Sequence, residues 1–326
     1  MRLGLLDIGS TAARLELVDL DRAKLPRATW SHKEKTRLSE HTRADGHVTD
    51  AGAEQAARAV EGCVRAAGDR LTGPLVAFGT AAVRDAANAA ELRRRLGRAA
   101  GTRIGALSPR AEAALCFHAA RRWHGRPESL MTTVDIGGGT AEIARGSGPY
   151  PGEVVCTSLG AARLTREHVL DDPPTPQQVA ELRRCVDELA AAELDGFAGA
   201  ELGHVVGQSK VLRQLAVLAA SSTTRTERHP DQLSRANLRR WIPELAERSH
   251  RERAKLPGVS RSRARRILAG ALAADTLLRT IGAEELELCP WGLREGLVFR
   301  FFEAYESAER CGRGEALRRL AAEMFT

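Results

Sequence analysis

Aromatic side chains make up only 4% of this sequence, with two tyrosines and four tryptophans. Stacking groups for a nucleobase pocket are therefore scarce. No apolar run reaches the roughly 18 residues that a membrane helix needs, so no membrane partner is expected. The six cysteines, Cys63, Cys116, Cys156, Cys185, Cys289 and Cys311, are scattered without a Cys-x-x-Cys pair. That argues against a disulfide frame or a zinc site and for reduced, mostly buried thiols in a cytoplasmic protein. The opening MRLGLLDIGS carries an acid inside its apolar stretch and no small-residue cleavage site. It is expected to be a first strand, not a secretory signal. Short-period repeats and low-complexity tracts are also missing.

Lysine is rare too: only five of the 49 basic residues, the rest being arginine. The arginine fork suits phosphate oxygens. A net charge of +7 and a pI near 9.4 fit either a polyanionic partner or a compositional bias. No nucleic-acid reading motif accompanies the charge, so no specific nucleic-acid partner is expected. With 326 residues, 43% of them hydrophobic, the chain has room for two ordinary domains and a sizeable core.

Strand, turn and helix patterns alternate, which points to the α/β class. Strands are expected at Arg2 to Asp7, Arg14 to Val18, Thr29 to Lys35, Leu75 to Phe78 and Ile104 to Leu107. A helix from Thr49 to Leu71 is capped by Asp50, and another starts near Ala81. Ser108-Pro109 opens a further helix, with serine as N-cap and proline at the first helical position. Gly125 to Pro127 marks a plausible domain boundary, which gives domains 1–125 and 126–305, with a closing helix near 306–326 that packs back on the first. The second half repeats the opening grammar with strands at Met131 to Asp135, Ala141 to Ala144 and Val154 to Ser158. Later helices are expected at Arg235 to His250, with Pro243 as a break, and at Ser260 to Ile281, capped by Ser260.

The long repeat is chemically specific. Leu6-Asp7-Ile8-Gly9-Ser10-Thr11 and Val134-Asp135-Ile136-Gly137-Gly138-Gly139-Thr140 each end a strand with a carboxylate and then turn on glycine. A glycine turn lets backbone N–H groups approach phosphate oxygens without an intervening Cβ. The carboxylate is placed to hold Mg²⁺, which takes one or two carboxylates plus phosphates. One such turn is usually only a tight turn. Two, opening two similar halves, would clamp a phosphate chain and its metal from both sides of an interdomain cleft.

This doubled grammar resembles the superfamily of actin, the sugar kinases and the heat-shock chaperone ATPases. Further segments narrow the match. Glu34-Lys35-Thr36-Arg37-Leu38 is similar to the "EKVRL" segment of the exopolyphosphatase/guanosine pentaphosphate phosphatase (Ppx/GppA) family. Gly79 to Asn88 resembles its "ATSALRDAxN", Leu107-Ser108 through Glu112-Ala113-Ala114-Leu115 its "ISGxEEARL", and Asp135 to Glu142 its "DIGGGSTE". Ser158 to Thr165 resembles "LGAVRLTE". Gly207-Gln208-Ser209-Lys210 resembles "GTSGT" in a form like that of the short actinobacterial members. Cys289 to Leu297 resembles "xxGLREGLL". The matches run in family order.

The resemblance implies two ribonuclease H-like domains and a Mg²⁺- or Mn²⁺-dependent hydrolase acting on the terminal phosphoanhydride of a phosphate chain. Glu112 aligns with the family's catalytic glutamate, a general base for the attacking water. Without the resemblance, it is a helix-start acid favoured by the helix dipole. Asp7 and Asp135 are the implied metal ligands. Gly9, Ser10 and Thr11, and Gly137, Gly138, Gly139 and Thr140, are the implied phosphate cradles. Glu142 matches an acid near the metal or water, and Arg84 would neutralise phosphoryl charge. Arg163 and Ser209 are implied for the path of the phosphate chain. Lys35 and Arg37, which could face the cleft, read more simply as a solvated strand edge, and Arg261 to Arg266 as solvated helix faces, with guidance of a polyanion as the lesser alternative.

Inorganic polyphosphate, in short chains, is the expected substrate. Guanosine pentaphosphate or another nucleotide is the alternative, and a catalytically weak phosphate sensor is a third reading. That last reading draws on departures from the family: Thr11 for asparagine, Gly-Gly-Gly-Thr-Ala for "GGGST", Gly-Gln-Ser-Lys-Val for "GTSGT", and Ala111 beside Glu112 where two acids are common. A homodimer is the family expectation.

Overall fold

The structure, a computed structural model, describes residues 1–21, 26–43, 45–125, 128–221, 231–308 and 312–325. The chain divides into two compact units. Unit 1 comprises Met1–Ala111 and Leu297–Thr326, and unit 2 comprises Glu112–Gly296. The sequence reading put its boundary at 125/126, and Arg126, Pro127 and Cys311 lie outside the described residues.

Unit 1 opens with β1 (Arg2–Ile8), β2 (Ala13–Asp19) and β3 (Arg27–Glu34), followed by α1 (Asp50–Ala67), β4 (Leu75–Gly79), α2 (Ala81–Arg84), α3 (Ala89–Ala100) and β5 (Ile104–Ala106). Its sheet runs β3-β2-β1-β4-β5, with β1 antiparallel to β2 and parallel to β4. β1 is central, and Leu3, Leu5, Leu6 and Ile8 are all buried, as a strand covered on both faces requires. β3 lies at the edge and alternates between exposed and half-buried positions. α1 buries Ala53, Ala56, Val60, Cys63 and Ala67, a stripe spaced by three and four residues.

Unit 2 takes α4 (Pro109–His124) from its second residue trio onward. It continues with β6 (Met131–Ile136), β7 (Ala141–Gly146), β8 (Glu153–Thr157), α5 (Ala161–His168), α6 (Pro176–Glu193), β9 (His204–Gly207), α7 (Lys210–Ala220), β10 (Gln232–Ser234), α8 (Arg235–Glu247), α9 (His250–Arg253), α10 (Ile267–Ile281) and β11 (Glu285–Leu288). The sheet order is β10-β11-β9-β6-β7-β8. Read from β8, an antiparallel trio leads into two parallel strands as in unit 1, and β10 adds an antiparallel edge, so the repeat in the sequence is a repeat of architecture. α10 is buried on nearly every side, and Gly270 lets Val211 of α7 approach it. The chain closes with α11 (Leu293–Ser307) and α12 (Arg313–Met324). In unit 1, Phe325 stacks on Phe78 at 5.7 Å.

Several local expectations are corrected. Thr49, not Asp50, caps α1, accepting from the Gly52 amide at 3.2 Å. Pro243 sits inside α8 without ending it. Residues 261–266 form turns, and α10 starts only at Ile267 with no side-chain cap from Ser260. The short strand β10, paired antiparallel to β11, was not foreseen. The Ser108 cap is as expected, with its Oγ accepting from the Ala111 amide at 3.2 Å.

Candidate active site

The two glycine turns adopt the same form. The Gly9 amide donates to the Ala12 carbonyl at 3.0 Å, and the Gly137 amide donates to the Thr140 carbonyl at 2.9 Å. In both, the carbonyls of the turn are held from outside. In unit 1, Thr36 Oγ1 donates to the Gly9 carbonyl at 2.8 Å. The amides of Thr36 and Arg37 reach Thr11, and that of Ser39 reaches Ser10. In unit 2, the amides of Ala161, Ala162 and Arg163, at the start of α5, donate to Gly137 and Gly138. The amides of Ser10 and Thr11, and of Gly138, Gly139 and Thr140, have no acceptor among the described residues. A turn whose carbonyls are largely spent and whose N–H groups are not is an anion cradle in chemical terms. Arg37, the one non-glycine with positive φ among the described residues (53°), is strained at the segment that holds the first turn.

The strand-end acids differ between the units. Asp7 stands opposite Arg14 across β1 and β2. Asp135 stands opposite Glu142 across β6 and β7, on the same face of the sheet. Unit 2 thus places two half-buried carboxylates side by side before its glycine turn.

α4 brings further acidity. Glu112, half-buried in its first turn, and the buried Cys116 share one face at i and i+4. The Cys116 thiol lies 3.9 Å from Asp135 Oδ2. Burial, together with Asp135, Glu112, Glu142 and Glu295, pushes that thiol well above its ordinary range. Cys116 is accordingly a neutral donor to Asp135 and not a nucleophile. Burial also pushes the Asp135 carboxyl up to about 6, against the opposing pull of Arg213 and the Cys116 thiol. A buried acid at this height wants a cation beside it, and an all-oxygen donor set suits a hard divalent ion.

The remaining predicted residues take other places. Arg84, in unit 1, donates to Asp85 through Nε and Nη2 at 2.7 and 3.0 Å and to the Leu107 carbonyl at 3.0 Å. The Arg163 side chain is exposed and pairs with Glu167 at 3.2 Å, while its backbone amide holds the Gly138 carbonyl. Ser209 is buried and caps α7, accepting from the Leu212 amide at 3.0 Å.

Sequence reasoning missed several residues. Gln208 donates both amide hydrogens, to Cys116 at 2.7 Å and Trp291 at 3.0 Å, and so ties α4 to the start of α11 within unit 2. Arg213 acts on Asp135 and, with Arg266, on Arg263. Burial lowers the pKa of both Arg263 and Arg266, and the neighbouring arginines lower that of Arg263 further. These two are half-buried members of a cationic group in a turn segment, where solvated helix faces were the main expectation. The only signal in the sequence was the arginine run itself.

The two sheets, each an antiparallel trio continued by parallel strands, define an α/β protein of the actin-like ATPase superfamily with two ribonuclease H-like domains. The chain belongs to the Ppx/GppA phosphatase family, whose model matches residues 17–304. That makes it an enzyme of hydrolase type, acting on phosphoric anhydrides. It is 37% identical over 302 residues to Exopolyphosphatase 1 of Mycobacterium tuberculosis, covering 92% of this chain and 88% of that protein. Against Exopolyphosphatase 1 of Mycobacterium leprae it is 34% identical over 331 residues, covering 99% and 98%. Among solved structures, the Aquifex aeolicus Ppx/GppA family member superposes with a TM-score of 0.76 at 26% identity, covering 95% of this chain and 99% of that one.

Proposed function

We propose that the protein is an exopolyphosphatase that releases orthophosphate from the end of inorganic polyphosphate. The observation that carries this reading is the grouping in unit 2 of Glu112, Asp135 and Glu142 around Cys116, next to a glycine turn with unspent amides. The names of the mycobacterial relatives support the substrate, and the cationic group of Arg213, Arg263 and Arg266 supports a polyanion.

Asp135, with Glu142 opposite it, would hold Mg²⁺ or Mn²⁺, which when bound neutralises phosphoryl charge. The amides of Gly138, Gly139 and Thr140 receive the terminal phosphoryl oxygens. Glu112 orients a water and takes its proton as the water oxygen bonds to phosphorus. The P–O bond to the bridging oxygen breaks, and the shortened chain departs as an anion. Cys116 keeps the Asp135 carboxylate in place by donating its S–H. The turn Gly9–Thr11, which follows Asp7, offers a second set of unspent backbone amides.

The test is orthophosphate release from short polyphosphate, long polyphosphate and guanosine pentaphosphate with Mg²⁺, comparing the native chain with Glu112→Gln. Polyphosphate is expected to be cleaved, and the variant to lose a factor of ~100 or more in rate. Cleavage of guanosine pentaphosphate alone would change the substrate, and binding without cleavage would replace the hydrolase by a sensor.

A further inference from the structure

A second cluster of donor side chains lies in unit 2, at the end of the sheet opposite the glycine turn. His124 ends α4, His204 opens β9, and Glu287 lies in β11. His204 pairs with Met131, the first residue of β6. Four steps along the strand, about 13 Å, separate Met131 from Asp135.

The fold brings these three together for a simple reason. α4 buries Ala113, Phe117 and Ala120 in an apolar column with Met131, Val206 and Cys289. His124 continues that helical stripe by one turn. His204 and Glu287 each precede a column residue, Val206 and Cys289, by two positions, so strand alternation turns them to the same face. Three polar groups therefore close the solvent end of one apolar column.

Their geometry is that of a ligand set. His204 Nε2 lies 3.1 Å from Glu287 Oε2, and His124 Nδ1 lies 3.7 Å from Glu287 Oε1. The imidazoles meet edge to face, with centroids 4.7 Å apart at 72°. One donor atom from each residue falls within 4.8 Å of the other two. Tetrahedral zinc with bonds of about 2.0–2.2 Å sets its ligands about 3.4 Å apart, a spacing these distances bracket. The His124 side chain is only 9% exposed and Glu287 40%, so an ion can enter past the carboxylate and finish against the imidazoles.

We infer that His124, His204 and Glu287 form a binding site for one zinc-class divalent ion, with water as the fourth ligand. Two imidazoles select zinc, cobalt or nickel over magnesium, so the site is distinct in chemistry and place from the carboxylates around Cys116. None of the scattered cysteines takes part, and the ligands come from three separate elements, so no spacing motif betrays the site. Bound metal fixes the C-terminal end of α4, whose first turn carries Glu112, to β9 and β11. The inference does not depend on the hydrolase reading.

The test begins with chelator-treated full chain titrated with Co²⁺ and followed by visible absorption. A competition titration of Zn²⁺ against a chromophoric chelator, with Mg²⁺ in excess, runs beside it. One equivalent is expected to give a tetrahedral or five-coordinate cobalt spectrum, and Zn²⁺ to raise the melting temperature. His204→Gln and Glu287→Gln are each expected to weaken Zn²⁺ binding at least tenfold while melting like the native chain without metal. Asp135→Asn should retain the spectrum. No cobalt spectrum in the native chain, or a spectrum kept in His204→Gln and lost in Asp135→Asn, overturns the site.

Discussion

Two glycines that touch each other separate what the Gly137–Thr140 turn does from what holds it. A Cβ on Gly160 would lie 2.1 Å from the Gly139 carbonyl carbon and 2.4 Å from the Thr140 amide nitrogen. Both are backbone atoms that cannot rotate aside, so Gly160→Ala must push the turn and α5 apart by about 1 Å, an overpacking cost of about 1–3 kcal/mol. The melting temperature should fall by roughly 3–10 °C. A Cβ on Gly139 meets no atom within 4 Å, and its φ is not positive. Gly139→Ala should therefore leave stability within about 0.5 kcal/mol of the native chain. If the open space above Gly139 is where the terminal phosphoryl group sits, the added methyl occupies it. kcat/KM should then drop by roughly 100-fold in both variants, from misplacement in one and obstruction in the other. Orthophosphate release from polyphosphate, read beside a thermal melt, distinguishes them. A Gly139→Ala enzyme with kcat/KM within about twofold of native would refute the cradle, whatever Gly160→Ala does.

Two further outcomes follow from charge. Arg263→Ala and Arg266→Ala should each raise KM for polyphosphate several-fold with little change in kcat, and weaken its dependence on salt; an unchanged KM would return these residues to the solvated surface. Asp135, raised to about 6 in the folded chain, binds its proton more tightly than in the unfolded chain, where its pKa is near 3.8. Between these values the folded state carries the extra proton, so the stability linked to it is present below about 3.8 and lost as pH rises through 6. Metal-free Asp135→Asn should thus be more stable than the native chain at pH 8, by no more than about 3 kcal/mol, with the gap closing on acidification. Denaturant melts at pH 4 and 8 measure this, and a gap that widens on acidification would contradict it.

Much of this fold is legible because the same words occur twice. The strand, acid and glycine turn at Asp7 and at Asp135 announce two sheets of one design, and their buried apolar runs set the central strands. What escapes is local competition. Thr49 outcompetes Asp50 as a cap because its hydroxyl reaches the Gly52 amide. The 261–266 segment forms turns although its sequence continues the helical pattern of α10. Pro243 is tolerated in α8 where sequence reads a break. Around Cys116, the acids Glu112, Asp135 and Glu142 each lie in a motif legible in the sequence. Gln208 and Arg213 could not be found in this way, since their partners at Cys116, Trp291 and Asp135 are some 80 residues away along the chain. Ser209 and Arg163 illustrate the reverse: residues inside a motif whose side chains are spent on a helix cap and a surface ion pair.

The register across the first hairpin of each sheet has a consequence for symmetry. A duplicated fold starts life with two equivalent addresses for a cation. Here the residue facing the strand-end aspartate is Arg14 in one copy and Glu142 in the other. That single ladder position sets an arginine across from the acid in one copy and a second carboxylate across from it in the other, so halves alike in architecture differ in the charge they carry at the strand end. A divalent ion would meet two facing carboxylates in the second copy and a single one in the first, so a doubled fold need not mean a doubled site.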